Sequence, residues 1–152
     1  MARACGHVAS VNRDGSAVVG SFGWAWLAAT IALALHVADE ASHDFLAWYN
    51  PRALRIRQVL GGLPFPPTFT FWPWLIGLTA AVLLLAAMTF SAFAGEHWLQ
   101  SVAYFLSVIH VANGLLHLGA SVAARRTVPG VLSAPLLLVT GSWLAYAAAR
   151  LP

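Results

Sequence analysis

An uncharged and strongly apolar run over residues 18–35 leads directly into a group of ionisable side chains. As a helix, this run is long enough to cross most of a hydrocarbon core of about 30 Å. The whole chain is 60% hydrophobic and only 9% charged, whereas a soluble domain is about 25% charged. Inside a bilayer, only helices and closed barrels form all of their backbone hydrogen bonds. The long apolar runs indicate helices, so the sequence predicts a helical integral membrane protein.

Three further apolar segments follow the first. We expect one all-α domain over residues 18–152, a polytopic bundle of about four transmembrane helices, preceded by a polar leader over residues 1–17. The first span is predicted to continue through Trp48 or to end near Glu40. The predicted spans are residues 18–40, 68–93, 98–123 and 131–149.

The loop after the first span carries aromatic residues and arginines. Trp48-Tyr49-Asn50-Pro51 predicts an interfacial anchor and a turn. Residues 52–60 alternate arginines with apolar side chains, which indicates a short helix on the membrane surface, and residues 61–67 form a connector. A second arginine pair, Arg125 and Arg126, closes the third span. The positive-inside rule therefore predicts both arginine-bearing loops on the cytoplasmic side.

The ionisable group at the end of the first span forms a helical stripe. At about 100° per residue, four side chains fall on one face: His36, Asp39, Glu40 and His43. Ionisable groups inside a membrane segment are costly and usually mark function. The alternative is that the span ends at Leu35 and that these groups are hydrated at the interface.

A second polar stripe lies late in the third span, where His110, Asn113 and His117 follow an i, i+3, i+7 spacing. The first and third spans are parallel in an up-down bundle, so the two stripes are predicted to face each other. Imidazoles with carboxylates suit Zn²⁺ or iron. The alternative is a hydrogen-bond network without metal. The candidate metal ligands are His36, Glu40, His43, His110, His117 and Asn113, and the candidate catalytic residues are Glu40, Asp39 and His36.

Four motifs together resemble a known family. They are His36-x-x-Asp39-Glu40, Phe-Leu-Ala-Trp-Tyr-Asn at residues 45–50, Asn113-x-x-x-His117 and Val128-Pro129-Gly130. Over about residues 25–150 the chain is similar to the HXXEE family of small bacterial membrane proteins. The resemblance implies a bacterial inner-membrane location and an important site, but no reaction. Asp39 stands where the family motif has Glu, which weakens its case as a direct ligand relative to Glu40.

The favoured function is a membrane-embedded, metal-dependent hydrolase or oxygenase acting on a lipid or another hydrophobic small molecule. One alternative is a metal-free acid–base isomerase using His36 and Glu40, similar to emopamil-binding-type proteins. Others are a binding or transport protein, and a b-type haem held by histidines of the two stripes. The expected partners are membrane lipids and a second copy of the chain. The scattered arginines form no nucleic-acid patch.

Overall fold

The structure, a computed structural model, describes residues 2–151, with side chains from residue 17 onward. Within this part of the chain there are five helices and no strand, which confirms the all-α prediction. The helices are α1 (Ala2–Ser42), α2 (Phe45–Val59), α3 (Phe71–Phe93), α4 (Trp98–Ala124) and α5 (Ala134–Ala148).

Three stretches are long and apolar enough to cross a membrane: Ala17–Ser42, Phe71–Phe93 and Trp98–Ala124. The predicted fourth span is shorter than expected. Helix α5 is apolar but has 15 residues, about 22 Å at 1.5 Å per residue, because the five residues before it form a turn. The bundle thus combines three helices long and apolar enough to cross a membrane with one short apolar helix.

The backbone of the predicted leader is helical and continuous with α1 back to Ala2, while the side chains before residue 17 lie outside the described residues and the apolar stretch begins at Ala17. One predicted boundary is wrong. The turn expected at residues 48–51 lies inside α2. The chain instead turns just after Ser42, where Asp44 takes a left-handed conformation with φ 52°. Pro51 lies inside α2, where it removes one intrahelical hydrogen bond.

Helix α1 packs against α3 and α5, and α4 packs along α5. Trp26, fully buried in the core, donates a hydrogen bond from Nε1 to Leu85 O at 2.9 Å and so joins α1 to α3. Glycines allow α5 to lie close to α4, because a Cβ on Gly114 would come within 2.9 Å of the backbone oxygen of Ala134. Such close approach through small residues is typical of membrane helices.

Helices α1 and α4 are parallel, as expected. Three side-chain contacts join them in the same order along both helices: His110 with Ala29, Asn113 with His36, and His117 with Glu40. The C-terminal ends of both helices therefore lie at one end of the bundle. Helix α2 and the Arg125–Arg126 pair follow from that same end.

Candidate metal centre

The carboxylate of Glu40 lies between two imidazoles. Its Oε1 is 3.4 Å from His36 Nε2 and 3.1 Å from His117 Nε2. The i, i+4 spacing on α1 places His36 beside Glu40, and α4 brings His117 to the other side. All three residues are buried, with no more than 4% of their surface exposed. No arginine in the described part of the chain pairs with this carboxylate, so its negative charge is met by imidazole alone.

The three donor atoms fit a divalent metal ion. They lie within 4.8 Å of one another. Two imidazole nitrogens and one carboxylate form the donor set of many catalytic zinc and non-haem iron sites, which keep further positions open. Donors on a tetrahedral zinc are roughly 3.3 Å apart, close to the separations from Glu40 to both histidines. His117 Nδ1 is buried and has no hydrogen-bond partner among the described residues.

A serine from the turn before α5 orients His36. Ser133 Oγ lies 2.8 Å from His36 Nδ1 and donates to Asp39 Oδ2 at 2.7 Å. The hydroxyl proton is assigned to Asp39, because that contact is shorter than the 3.2 Å to Gly130 O; the serine oxygen then accepts from the Nδ1–H of His36. This tautomer leaves Nε2 unprotonated on the side of Glu40. A metal-binding histidine usually donates its other ring N–H to a carboxylate, a backbone carbonyl or water. Here the acceptor is the Ser133 hydroxyl, which is itself hydrogen-bonded to Asp39.

Asn113, predicted as a candidate metal ligand, lies beside the cluster formed by His36, Glu40 and His117, and its Nδ2 donates to His36 Nε2 at 2.9 Å. This hydrogen bond uses the same lone pair that would bind a metal ion. The amide is therefore a neighbour of the donor atoms and would have to turn away from Nε2 when a metal binds. Its position is compatible with either a bound metal or a metal-free hydrogen-bond network.

Gly130 brings the turn before α5 against both imidazoles. Its φ is +83°, a conformation that favours glycine. A Cβ at this position would lie 2.6 Å from His117 Cε1 and 2.9 Å from His36 Cε1. Two features therefore require glycine at this position: the backbone conformation and the lack of space for a Cβ beside the two imidazole rings. The Pro129-Gly130 motif thus belongs to the site.

Helix α2 covers the cluster with its first turns. The Trp48 ring lies 6.2 Å from that of His117 at an interplanar angle of 26°, and Phe45 lies 5.9 Å from it. Two hydrogen bonds between Asn50 and the backbone of Phe69, at 2.9 and 3.1 Å, hold the connector to α2. These covering residues precede the segment 52–60 that the sequence indicated as a surface helix.

The structure does not bring His43 or His110 to the cluster. His43 follows the end of α1, and its half-exposed side chain meets Asp39 Oδ1 at 3.0 Å. His110 is buried, with ring nitrogens 2.9 Å from Leu106 O and 3.1 Å from Ala29 O. Both nitrogens therefore face backbone oxygens, and His110 joins α4 to α1. Of the predicted residues, the structure brings together His36, Glu40 and His117, with Asn113 and Asp39 as neighbours.

Two cavities flank the cluster. A cavity of about 280 Å³ lies under α2 and is lined in part by His117, Arg52 and Ile56. A cleft of about 600 Å³ lies between α1, α3 and α4, with His36 and Glu40 in its wall. Phe45, Tyr49 and Asn113 line both spaces. The cluster thus lies where the cavity and the cleft meet.

Sequence reasoning missed Ser133. It stands alone at the start of α5 and belongs to no periodic pattern, so only its place shortly after the Pro129-Gly130 motif could have indicated it. The packing roles of Phe45 and Trp48 were missed as well. Both residues belong to the motif at residues 45–50, but the motif does not indicate that they pack against His117.

The fold and the cluster define a helical bundle with three apolar helices of membrane-spanning length and a buried His–Glu–His group. A family model described as a protein of unknown function with HXXEE motif matches residues 26–145. The chain therefore belongs to the HXXEE family. No curated protein and no solved structure matches it.

The two acids of the motif have separate positions in this chain. Glu40, the second acid, faces both imidazoles. Asp39, which stands in place of the first glutamate, faces Ser133 and His43 instead. The Asp39 side chain therefore binds the turn before α5, and its link to the cluster is through Ser133, which contacts His36.

Proposed function

We propose that this chain is a metal-dependent enzyme of the bacterial inner membrane that acts on a lipid or another hydrophobic small molecule. His36, Glu40 and His117 would hold Zn²⁺ or iron. The observation that carries the proposal is the buried Glu40 carboxylate between two imidazoles, since a buried negative charge needs a compensating cation. A divalent ion would supply that charge and use all three donors.

When bound, such a metal polarises a substrate oxygen or activates water or O₂, which corresponds to a hydrolase or an oxygenase. The protein's own residues prepare the site. Ser133 and Asp39 hold His36 in one tautomer, the absence of a side chain at Gly130 leaves room for both imidazoles, and Trp48 packs against His117. Asn113 lines both the cavity and the cleft, where its amide can hydrogen-bond a substrate oxygen.

The surroundings of the cluster favour a hydrophobic substrate. The cleft wall beside Glu40 is formed largely by apolar side chains such as Leu33, Val37 and Leu78. Ligand sites of this kind are mostly apolar with a few convergent polar groups. The polar groups here are the cluster and Asn113.

A metal-free acid–base enzyme is the second candidate. The observation that favours it is the hydrogen bond from Asn113 to His36 Nε2, which satisfies the lone pair without a metal. In that case Glu40 and the two imidazoles would share a proton within a buried site and exchange it with the substrate.

Metal analysis separates the two candidates. We expect wild-type protein, purified without chelator, to carry Zn or Fe at about one ion per chain. Protein stripped with chelator should bind one ion again on titration, and Glu40→Gln should bind it weakly because the neutral amide is a poorer ligand. Absence of stoichiometric Zn, Fe or Mn, together with no binding on titration, would select the acid–base enzyme.

A further inference from the structure

The cavity and the cleft differ in chemistry, and the cluster lies between them. We propose that the ligand is an amphiphile with an anionic carboxylate or phosphate headgroup bound by Arg52 in the cavity under α2. Its apolar tail would lie in the cleft between α1, α3 and α4, and its reacting group would lie at the cluster. This inference rests on the proposed function for the reaction, but not for the binding.

Arg52 is positioned to bind an anion. It lines the cavity together with His117 and Asn113, and its guanidinium carbon lies 4.2 Å from the centre of the Trp48 ring. It also donates to Trp48 O. Trp48 in turn stacks on His117, so the Trp48 ring lies between the guanidinium group and the cluster. Guanidinium groups stacked in this way bind carboxylate and phosphate with two parallel hydrogen bonds.

The charge of Arg52 is not neutralised by the protein. No carboxylate pairs with an arginine in the described part of the chain. Asp39 and Asp44 line a separate depression, together with His43. Among the residues whose side chains the structure describes, Arg52 is the only arginine that lines the cavity, and no acid lines it. The cavity therefore complements a negative headgroup.

The cleft suits an apolar tail that arrives from the side. Helix α3 packs mainly against α1, while α4 packs mainly along α5. Leu78 of α3 and Ile109 of α4 line the cleft from its two sides. His36 and Glu40 also line this cleft, so a tail lying between α3 and α4 would reach the cluster. A tail in the cleft and a headgroup on Arg52 would place the intervening bonds beside the cluster.

Binding of single-chain probes tests this arrangement. Dodecyl phosphate, dodecanoate and uncharged dodecanol share one tail and differ in headgroup, and native mass spectrometry of protein from neutral maltoside micelles measures the bound fraction. We expect at least one anionic probe to bind more tightly than dodecanol. The tighter of the two identifies the headgroup as phosphate or carboxylate.

Arg52→Gln provides the decisive comparison, with Arg55→Gln as the matched control, because Arg55 is also exposed on α2 but lines neither space. Arg52→Gln should weaken binding of the preferred anion by about tenfold or more, the loss expected for a charge-assisted hydrogen bond. It should leave dodecanol binding unchanged, and Arg52→Lys should recover part of the loss. Equal losses in Arg52→Gln and Arg55→Gln, or no preference for anionic probes, would overturn the proposal.

Metal content distinguishes this proposal from the proposed function. The binding measurements use chelator-treated protein, so they do not depend on a bound metal. Arg52→Gln should retain the metal stoichiometry of wild type, because Arg52 is not one of the three donors. Anion-selective binding in a protein that takes up no metal would support the headgroup site and reject the metal enzyme. Metal uptake without anion-selective binding would reject only the headgroup site.

Discussion

Asp39 and Ser133, 94 positions apart in the sequence, are joined by two hydrogen bonds to a single carboxylate oxygen. The hydroxyl and the backbone N–H of Ser133 both donate to Asp39 Oδ2, at 2.7 and 3.0 Å. This pair fixes the turn before α5 to the end of α1, and the same serine contacts His36. The first acid of the motif therefore positions the site from outside the cluster.

Removal of the Ser133 hydroxyl should weaken metal binding without unfolding the protein. Ser133→Ala takes away the group that holds His36 in one tautomer, and loss of such a partner typically lowers metal affinity by ~10–100-fold. Competition with a chromophoric chelator measures the affinity. Ser42→Ala is the control, because the Ser42 hydroxyl only bonds within α1. Equal metal affinity in Ser133→Ala and wild type would show that His36 does not need this orientation.

A methyl group on Gly130 should disrupt the site. In Gly130→Ala the new Cβ would collide with both imidazoles, so we expect loss of most metal binding and lower thermal stability. Gly62→Ala is matched in backbone conformation, since Gly62 has φ +87° but open space around its Cβ position. The control should lose some stability and keep its metal. Similar metal loss in both variants would assign the effect to the backbone alone.

The sequence was sufficient to predict the part of the site that follows helical periodicity. His36 and Glu40 share a face of α1, and the late position of His117 in a parallel helix predicted its approach. His43 does not join them because α1 ends one residue earlier, at Ser42. The predicted stripe assumed that the helix continues through His43. Periodicity alone could not locate that end.

The remaining differences arise from contacts between residues that are distant in the sequence. His110 lies on the same stripe as His117, but the backbone oxygen of Ala29 occupies the space in front of it. Ser133 and Gly130 reach the site through a turn, which has no periodic signature. The start of α2 at Phe45 depends on the left-handed Asp44, a conformation that a non-glycine residue rarely takes.

His110 should contribute to stability and not to metal binding. His110→Ala removes a buried hydrogen bond between α4 and α1 and leaves a cavity, so the free energy of unfolding should fall by about 1–3 kcal/mol. Unfolding in SDS-containing micelles measures the change, and metal content should stay at the wild-type value. His97→Ala, in an exposed turn, is the control. Loss of metal from His110→Ala at preserved fold would return His110 to the set of ligands.

The parallel arrangement of α1 and α4 predicts which loops share a side of the membrane. In a Cys5→Ser background, Arg55→Cys and Arg126→Cys should react equally with a membrane-impermeant maleimide in oriented vesicles. Glu96→Cys, in the turn between α3 and α4, should show the opposite accessibility. Opposite labelling of positions 55 and 126 would contradict the arrangement that brings the donors together.

The central claim is that His36, Glu40 and His117 form one metal site from which His43 is excluded. Elemental analysis of wild type, His117→Ala and His43→Ala, purified side by side without chelator, tests it most directly. We expect about one Zn or Fe per chain in wild type and in His43→Ala, and a large loss in His117→Ala with the helical circular dichroism spectrum retained. Metal-free wild-type protein that also binds no ion on titration, or equal metal in His117→Ala and wild type, would contradict the account.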